Sequence, residues 1–362
     1  MKIAILANSD IGLYKFRKEL IQELINQGNE VYISLPNGVF IQPLTDLGCI
    51  FIETDVDRRG VNPFTDFKLI IRYLRLIAKL KPDLVITYTI KPNIYGGIVC
   101  RFLNLPYTIN ITGLGTSFQR DGFLKKLIVF LYRIACRKAH VIFFENEENQ
   151  RSFVDNRIVK KENTYKLNGA GVNLEEYMFS EYPKNDSVIR FLFIGRVMKE
   201  KGVDELFDVA KRIKDKFDNV EFDIVGQFED DYEEIINDLD KKNVINYYGF
   251  QMDVKPFIRK AHCFVLPSYH EGMANTLLEA GAMGRPLITS NIYGCKDAVL
   301  DGETGYLVNS QDCQDLYAKI SDFILLPFEQ KRMMGYKSCE YVRSKFDKRT
   351  VVTKTINRLK RE

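Results

Sequence analysis

Residues 263–288 read CFVLPSYHEGMANTLLEAGAMGRPLI. The apolar run CFVL is β-rich and stops at Pro267, and the five residues SYHEG form a loop in which Gly272 permits close backbone approach. Asn275 or Thr276 then opens a helix with Leu277, Leu278 and Met283 on its apolar face, and PLITSN (286–291) starts a second strand. A strand, a helix and a strand in this order imply a parallel pair, because parallel neighbours need a crossover. Two carboxylates sit in the unit, Glu271 on the loop and Glu279 near the end of the first helical turn. They could be an acid/base pair, two hooks for hydroxyl groups, or unrelated surface charges.

The same alternation runs along the whole chain. Before residue 175 the strand candidates are 2–8, 30–35, 49–54, 83–89, 107–112, 141–146 and 165–170, separated by amphipathic segments such as 13–27 and 66–81. The pattern restarts with FLFIGR (191–196), VEFDIVG (220–226), VINYYG (244–249), CFVLPS (263–268), PLITSN and GYLVN (305–309). The polar, Pro-containing segment 180–188 reads as the linker. The fold class is α/β, with two Rossmann-like domains facing across a cleft. In such sheets ligands bind beyond the carboxyl ends of the strands.

A chain of 362 residues with 46% hydrophobic and 28% charged residues is an ordinary soluble type with room for two cores. The seven cysteines are odd in number, scattered and without CxxC pairs, so buried thiols are expected rather than disulfides or a zinc site. MKIAILANSD is too short in its apolar run for a signal peptide and reads as a first strand; no window is apolar enough to span a membrane. The net charge of +4 hides a split: 24 Lys+Arg against 17 Asp+Glu up to residue 175, and 28 against 31 after it. The basic first half points to an anionic partner.

In the second half, FLFIG runs into Arg196 and then VMKEKG, with the next helix opening near Val203 or Asp204. Arg196 and Lys201 therefore stand on a strand-to-helix loop, where cations and free N–H groups together suit a diphosphate. The acidic run EDDYEE (229–234) is read as a helix opening, which acidic residues favour. No metal site is read from the acidic residues, and no Ser/His/Asp set is present.

The combination G-R-x4-K-G (195–202), P-S-x-x-E-G-x-x-N-x-x-L-E-A (267–280) and G-x-P-L-I (284–288), continued by GCKDAVLDGETGYLV (294–308), resembles the family 4 nucleotide-sugar glycosyltransferases, retaining enzymes of the GT-B fold. The match is specific over roughly 190–310 and looser before it. The resemblance implies an acceptor-binding domain at 1–179, a nucleotide-sugar-binding domain at 180–345 and a C-terminal helix, 346–362, packing back on the first domain. It implies catalytic roles for Arg196, Lys201 and Glu271: the cations hold the donor diphosphate and Glu271 holds hydroxyls of the donor sugar. Gly195, Gly272, Met273, Ala274, Asn275 and Thr276 would line the donor, Glu279 would take the ribose hydroxyls, and Phe250 and Gln251 would lie beside the base. Gly12, in a glycine-bearing loop 8–17, would face the donor across the cleft. Many members carry a histidine after the fifth strand; here that loop reads NITGLGTSF (110–118), a variant found in the branch that builds surface polysaccharides, which leaves Asn110, Thr112 and Gly113 as acceptor-side candidates. No metal and no cofactor is expected beyond a UDP-sugar donor, and the acceptor implied is a lipid-linked saccharide. The other readings are a UDP-sugar epimerase, a sugar-nucleotide sensor and a glycoside hydrolase. The last would need its carboxylates ~5–9 Å apart across one bond.

Two basic segments remain. Residues 120–140 carry Arg120, Lys125, Lys126, Arg133, Arg137 and Lys138 among Phe123, Leu127, Phe130, Leu131 and Ile134; residues 66–81 carry Lys68, Arg72, Arg75, Lys79 and Lys81 around an aliphatic stripe. They read as core-packing helices with basic outer faces, or as faces that dock on an anionic membrane. With the resemblance, the second reading places the protein in the cytoplasm at the inner face of the membrane. No basic-aromatic strand platform suggests nucleic acid.

Overall fold

The computed structural model describes residues 1–57, 62–114, 122–184 and 187–360. The chain divides into two compact units, Met1–Ala170 with Lys348–Glu362, and Gly171–Asp347. The first holds a seven-stranded sheet: β1 (Lys2–Leu6), β2 (Glu30–Leu35), β3 (Ile50–Glu53), β4 (Leu84–Tyr88), β5 (Tyr107–Ile111), β6 (Ile142–Phe144) and β7 (Thr164–Lys166), in the order β3-β2-β1-β4-β5-β6-β7. The second holds β8 (Ile189–Ile194), β9 (Val220–Val225), β10 (Asn246–Tyr247), β11 (Cys263–Leu266), β12 (Leu287–Ser290) and β13 (Gly305–Val308), in the order β10-β9-β8-β11-β12-β13. Every pairing is parallel. Strand order reverses between β1 and β4 and between β8 and β11, the two places where open α/β sheets take ligands.

The cores follow from the period-2 alternation of strands covered on both faces. In the first unit Ile3 and Ile5 enter one cluster while Ala4 and Leu6 enter another on the opposite face. The helices start where the chain supplies acceptors for their orphan N–H groups. Ser9 accepts from Gly12 N–H at 3.2 Å to open Asp10–Asn26, and Asn62 accepts from Phe64 N–H at 2.9 Å to open Pro63–Leu80. Gly12 therefore sits in the first turn of a helix rather than in the expected loop, because Ser9 caps the chain one residue after the strand-end turn begins.

The boundary between the units also differs from the expected 179/180, and 180–188 is not the linker. Residues 180–182 are strapped onto the second unit by Arg285, which is fully buried and donates from Nη2 to the carbonyls of Ser180 (2.7 Å) and Glu181 (2.9 Å). Tyr182 is buried behind them, stacked edge-on against His262 and Phe328 and donating to the His262 carbonyl at 3.0 Å. Polarity and a proline hid a packed aromatic anchor. At the other end, the helix Lys348–Leu359 puts Val351, Ile356 and Leu359 into the first unit's core, with Lys348 3.5 Å from Glu19.

All seven cysteines are free, and six of them are buried. Among the described residues no helix is long and apolar enough to cross a membrane.

Candidate active site

In the second unit the exits of β8 and β11, neighbours at the switch point, bring two of the candidate side chains, Lys201 and Glu271, together. After β8 the chain makes a short turn at Lys199–Lys201, then Gly202 in the left-handed region, then the helix Val203–Lys214. After β11 the loop 267–274 leads into the helix Asn275–Ala282. Gly202 is where the two loops touch. Its φ is +71°, and a Cβ there would sit 2.0 Å from the Pro267 carbonyl oxygen, so only glycine lets the backbones meet. Tyr269 fastens them again: its N–H donates to Glu200 O at 2.9 Å, and its hydroxyl reaches both oxygens of Glu205, at 2.7 and 2.8 Å.

Across this junction Lys201 Nζ pairs with Glu271 Oε1, which also accepts from Ser268 Oγ at 2.9 Å. Both partners are mostly buried, 17% and 11% exposed at the side chain, so the pair is screened little by solvent. Arg196 lies nearer the surface, its Nη1 3.1 Å from Glu229 Oε2. Cys295 is buried below; burial first, then the Glu271 carboxylate, push its thiol far up, so it is a neutral packing group rather than a nucleophile.

The helix Asn275–Ala282 opens without a side-chain cap. Ala274 N–H is taken by Gly294 O at 2.9 Å, while Asn275 and Thr276, the first two residues of the helix, have N–H groups that no intrahelical carbonyl can reach. The buried Oδ1 of Asn275 also lacks a partner. Free N–H groups at a helix start beside two cations form an anion seat. Glu279, on the same helix, hydrogen-bonds with Tyr177; burial first and this carboxylate next push the phenol well above its ordinary range. Tyr177 went unnoticed in the sequence, because it lies far upstream of Glu279 and no spacing rule links them. At the end of β10, Tyr248 and Phe250 are exposed, and Gln251 donates to Tyr248 O at 2.7 Å.

The first-unit candidates divide. Asn110 is buried in the core: it donates to Thr87 O at 3.2 Å, and its own carbonyl accepts from Asn93 Nδ2 at 2.8 Å. Its burial and these two bonds, one from the side-chain amide and one to the main-chain carbonyl, make it a structural tie rather than an exposed contact. Thr112 and Gly113 follow β5 and are half-buried, with nothing within 4 Å of the Cβ position of Gly113. The rest of that loop, 115–118, lies outside the described residues, as does Arg120. Nearby strand ends carry a feature the sequence reading passed over: Arg17 pairs with Glu145 and lies over the Tyr88 ring at 4.9 Å.

Comparisons with known proteins bear on the family and the fold. A model of the family described as "Glycosyl transferases group 1" matches residues 175–340, and one described as "Glycosyl transferase 4-like" matches residues 2–146. The chain is 28% identical to the N,N'-diacetylbacillosaminyl-diphospho-undecaprenol alpha-1,3-N-acetylgalactosaminyltransferase of Campylobacter jejuni, over 92% of this chain and 91% of the relative. It is 25% identical to the capsular polysaccharide biosynthesis glycosyltransferase CapM of Staphylococcus aureus, over 81% and 80% of the two chains. Its fold superimposes on that of Anabaena HepE, solved in complex with UDP and glucose, with a TM-score of 0.82 at 16% identity over 99% of both chains. The chain belongs to the GT-B glycosyltransferases that pair a 4-like first domain with a group 1 second domain.

Proposed function

We propose that the protein moves a hexose or N-acetylhexosamine from a UDP-sugar to a lipid-linked saccharide in surface-polysaccharide or glycan synthesis, with retention and without a metal ion or cofactor. The observation that carries the reading is the anion seat of the second unit: Arg196 and Lys201 on the β8 exit beside the helix-start N–H groups of Asn275 and Thr276. A diphosphate there gains negative charge as the glycosidic bond breaks. Two cations and oriented N–H groups stabilise that charge more in the transition state than in the ground state. The acceptor hydroxyl attacks from the face the phosphate leaves, and a phosphate oxygen takes its proton.

The two glutamates then serve two ends of one donor. Glu271, held by Lys201 and Ser268, is the residue read as contacting hydroxyls of the donor sugar, together with the loop at Gly272, Met273 and Ala274. Glu279, oriented by Tyr177, takes the ribose hydroxyls, and Phe250 and Gln251 flank the base. The lipid-linked acceptor is supported by the Campylobacter relative, whose name specifies a diphospho-undecaprenol-linked sugar. The test is incubation of the purified protein with a panel of nucleotide sugars and a polyprenyl-diphosphate-linked acceptor, with products resolved by mass. One UDP-sugar transferred in the presence of EDTA is expected; turnover only with a non-uridine donor, or only with added metal, overturns the reading.

The reading puts the protein at the inner face of the cytoplasmic membrane, and two exposed faces of the first unit support it. The helix Phe123–Cys136 buries Val129, Tyr132, Ala135 and Cys136 and leaves Phe123 (83%), Leu127 (40%) and Phe130 (55%) exposed beside Lys126, Arg133 and the following Arg137. On Pro63–Leu80, Phe64 and Phe67 are exposed beside Lys68. Both helices pack on the same core cluster and so share one face of the sheet. An ordinary solvent face would not expose large aromatics between its cations; an anionic bilayer matches both. Binding to vesicles rich in anionic lipid is expected to fall steeply with salt, and Phe123→Ser with Phe130→Ser to weaken it at least about tenfold. Equal binding to neutral vesicles, or none at low salt, contradicts this surface.

A further inference from the structure

The acidic run at 229–234 does not open a helix at its start; the helix begins at Glu233. Residues 226–230 instead lie along the exit of β8. Gly226 approaches so closely that a Cβ on it would sit 1.7 Å from Gly195 O. Val197 N–H donates to Gln227 O at 2.8 Å, and Glu229 N–H to Val197 O at 3.1 Å. Asp230 Oδ2 accepts from Lys199 N–H at 3.2 Å. This backbone pairing puts the Glu229 carboxylate on Arg196. The acid is the anchored partner, 15% exposed, and the arginine the freer one, 40% exposed.

We propose that Glu229 is a placeholder anion: it holds Arg196 until a diphosphate arrives, gives it up to that diphosphate, and sets how tightly a nucleoside diphosphate is then held. The inference rests on the reading that Arg196 and Lys201 seat that diphosphate. Half-exposed ion pairs are weak, so the exchange costs little. The carboxylate stays tied to Val197 by its backbone and so remains near the phosphates, whose charge it opposes. It tunes binding toward release of the product nucleotide, at the expense of affinity.

Titration calorimetry of UDP and of uridine at low salt tests this. Glu229→Gln keeps the side-chain shape and removes the charge. UDP is expected to bind about threefold to tenfold more tightly than to the parent, with the gain shrinking at high salt. Uridine, which has no phosphate, is expected to bind unchanged. Glu229→Ser should move UDP in the same direction, and Asp231→Asn, at an exposed position, should not move it. Folding of each variant is checked by its thermal midpoint. If the parent binds UDP and Glu229→Gln binds it no more tightly, or tightens uridine equally, the placeholder role is overturned while the seat stands. If the parent binds no UDP, the seat falls and this inference with it.

Discussion

Lys201→Ala is expected to keep its fold and to lose transfer by about a hundredfold to a thousandfold in kcat, the loss seen when one group stabilising developing charge is removed. The ammonium stands at the end of the Lys199–Lys201 turn, held against Glu271 by the contact of Gly202 with Pro267. Arg196 does not stand in for it, since its guanidinium is paired with Glu229. Some stability goes too, because Glu271 is mostly buried and loses its cation, although Ser268 Oγ keeps a donor on it. Adding Glu271→Gln to Lys201→Ala is expected to restore the melting temperature without restoring turnover. Normal turnover in Lys201→Ala removes the diphosphate assignment.

Gly202→Ala is expected to be the most damaging single methyl in the second unit. Alanine must adopt a φ of +71° and also place its Cβ 2.0 Å from a backbone oxygen that cannot swing away. A cost of about 3 kcal/mol or more is expected, in the range of the severe backbone mechanisms. Part of the relief would come from separating the β8 and β11 loops, so UDP affinity should drop along with the thermal midpoint. Melting and UDP titration of the same preparation check both. A variant that melts with the parent and binds UDP normally shows that the two loops do not touch.

The strands and their alternation with helices were legible because period-2 apolar runs and capping residues are local. Edge strands shrank, as with the expected 244–249, of which only Asn246–Tyr247 pairs, since an edge has one neighbour to hold it. The positions of Arg196, Lys201, Glu271, Asn275 and Glu279 were legible for the same reason: each lies on a loop or helix start that the neighbouring strand fixes. What joins them was not. Tyr177 on Glu279, Glu229 on Arg196 and Tyr269 on Glu205 are long-range contacts that no spacing announces. At 229–234 the acidic run does open a helix, with Glu233 and Glu234 in its first turn, but the four residues before them lie outside it. Polarity misled at 180–188, where Arg285 and Tyr182 turn a linker-like segment into a strap. Asn110 looked available because it lies near a strand end; its side chain is buried and donates to Thr87 O, and its main-chain carbonyl accepts from Asn93.

The proposal gives Glu271 and Glu279 two ends of one donor, so it requires that they do not meet across one bond. The most direct measurement is a crystal structure with an unhydrolysable analogue of the preferred UDP-sugar. The expected result has the diphosphate on Arg196, Lys201 and the N–H groups of Asn275 and Thr276, with Glu279 on the ribose and Glu271 on hydroxyls of the sugar. A structure with both carboxylates flanking the anomeric carbon, or with the diphosphate away from Lys201, contradicts it.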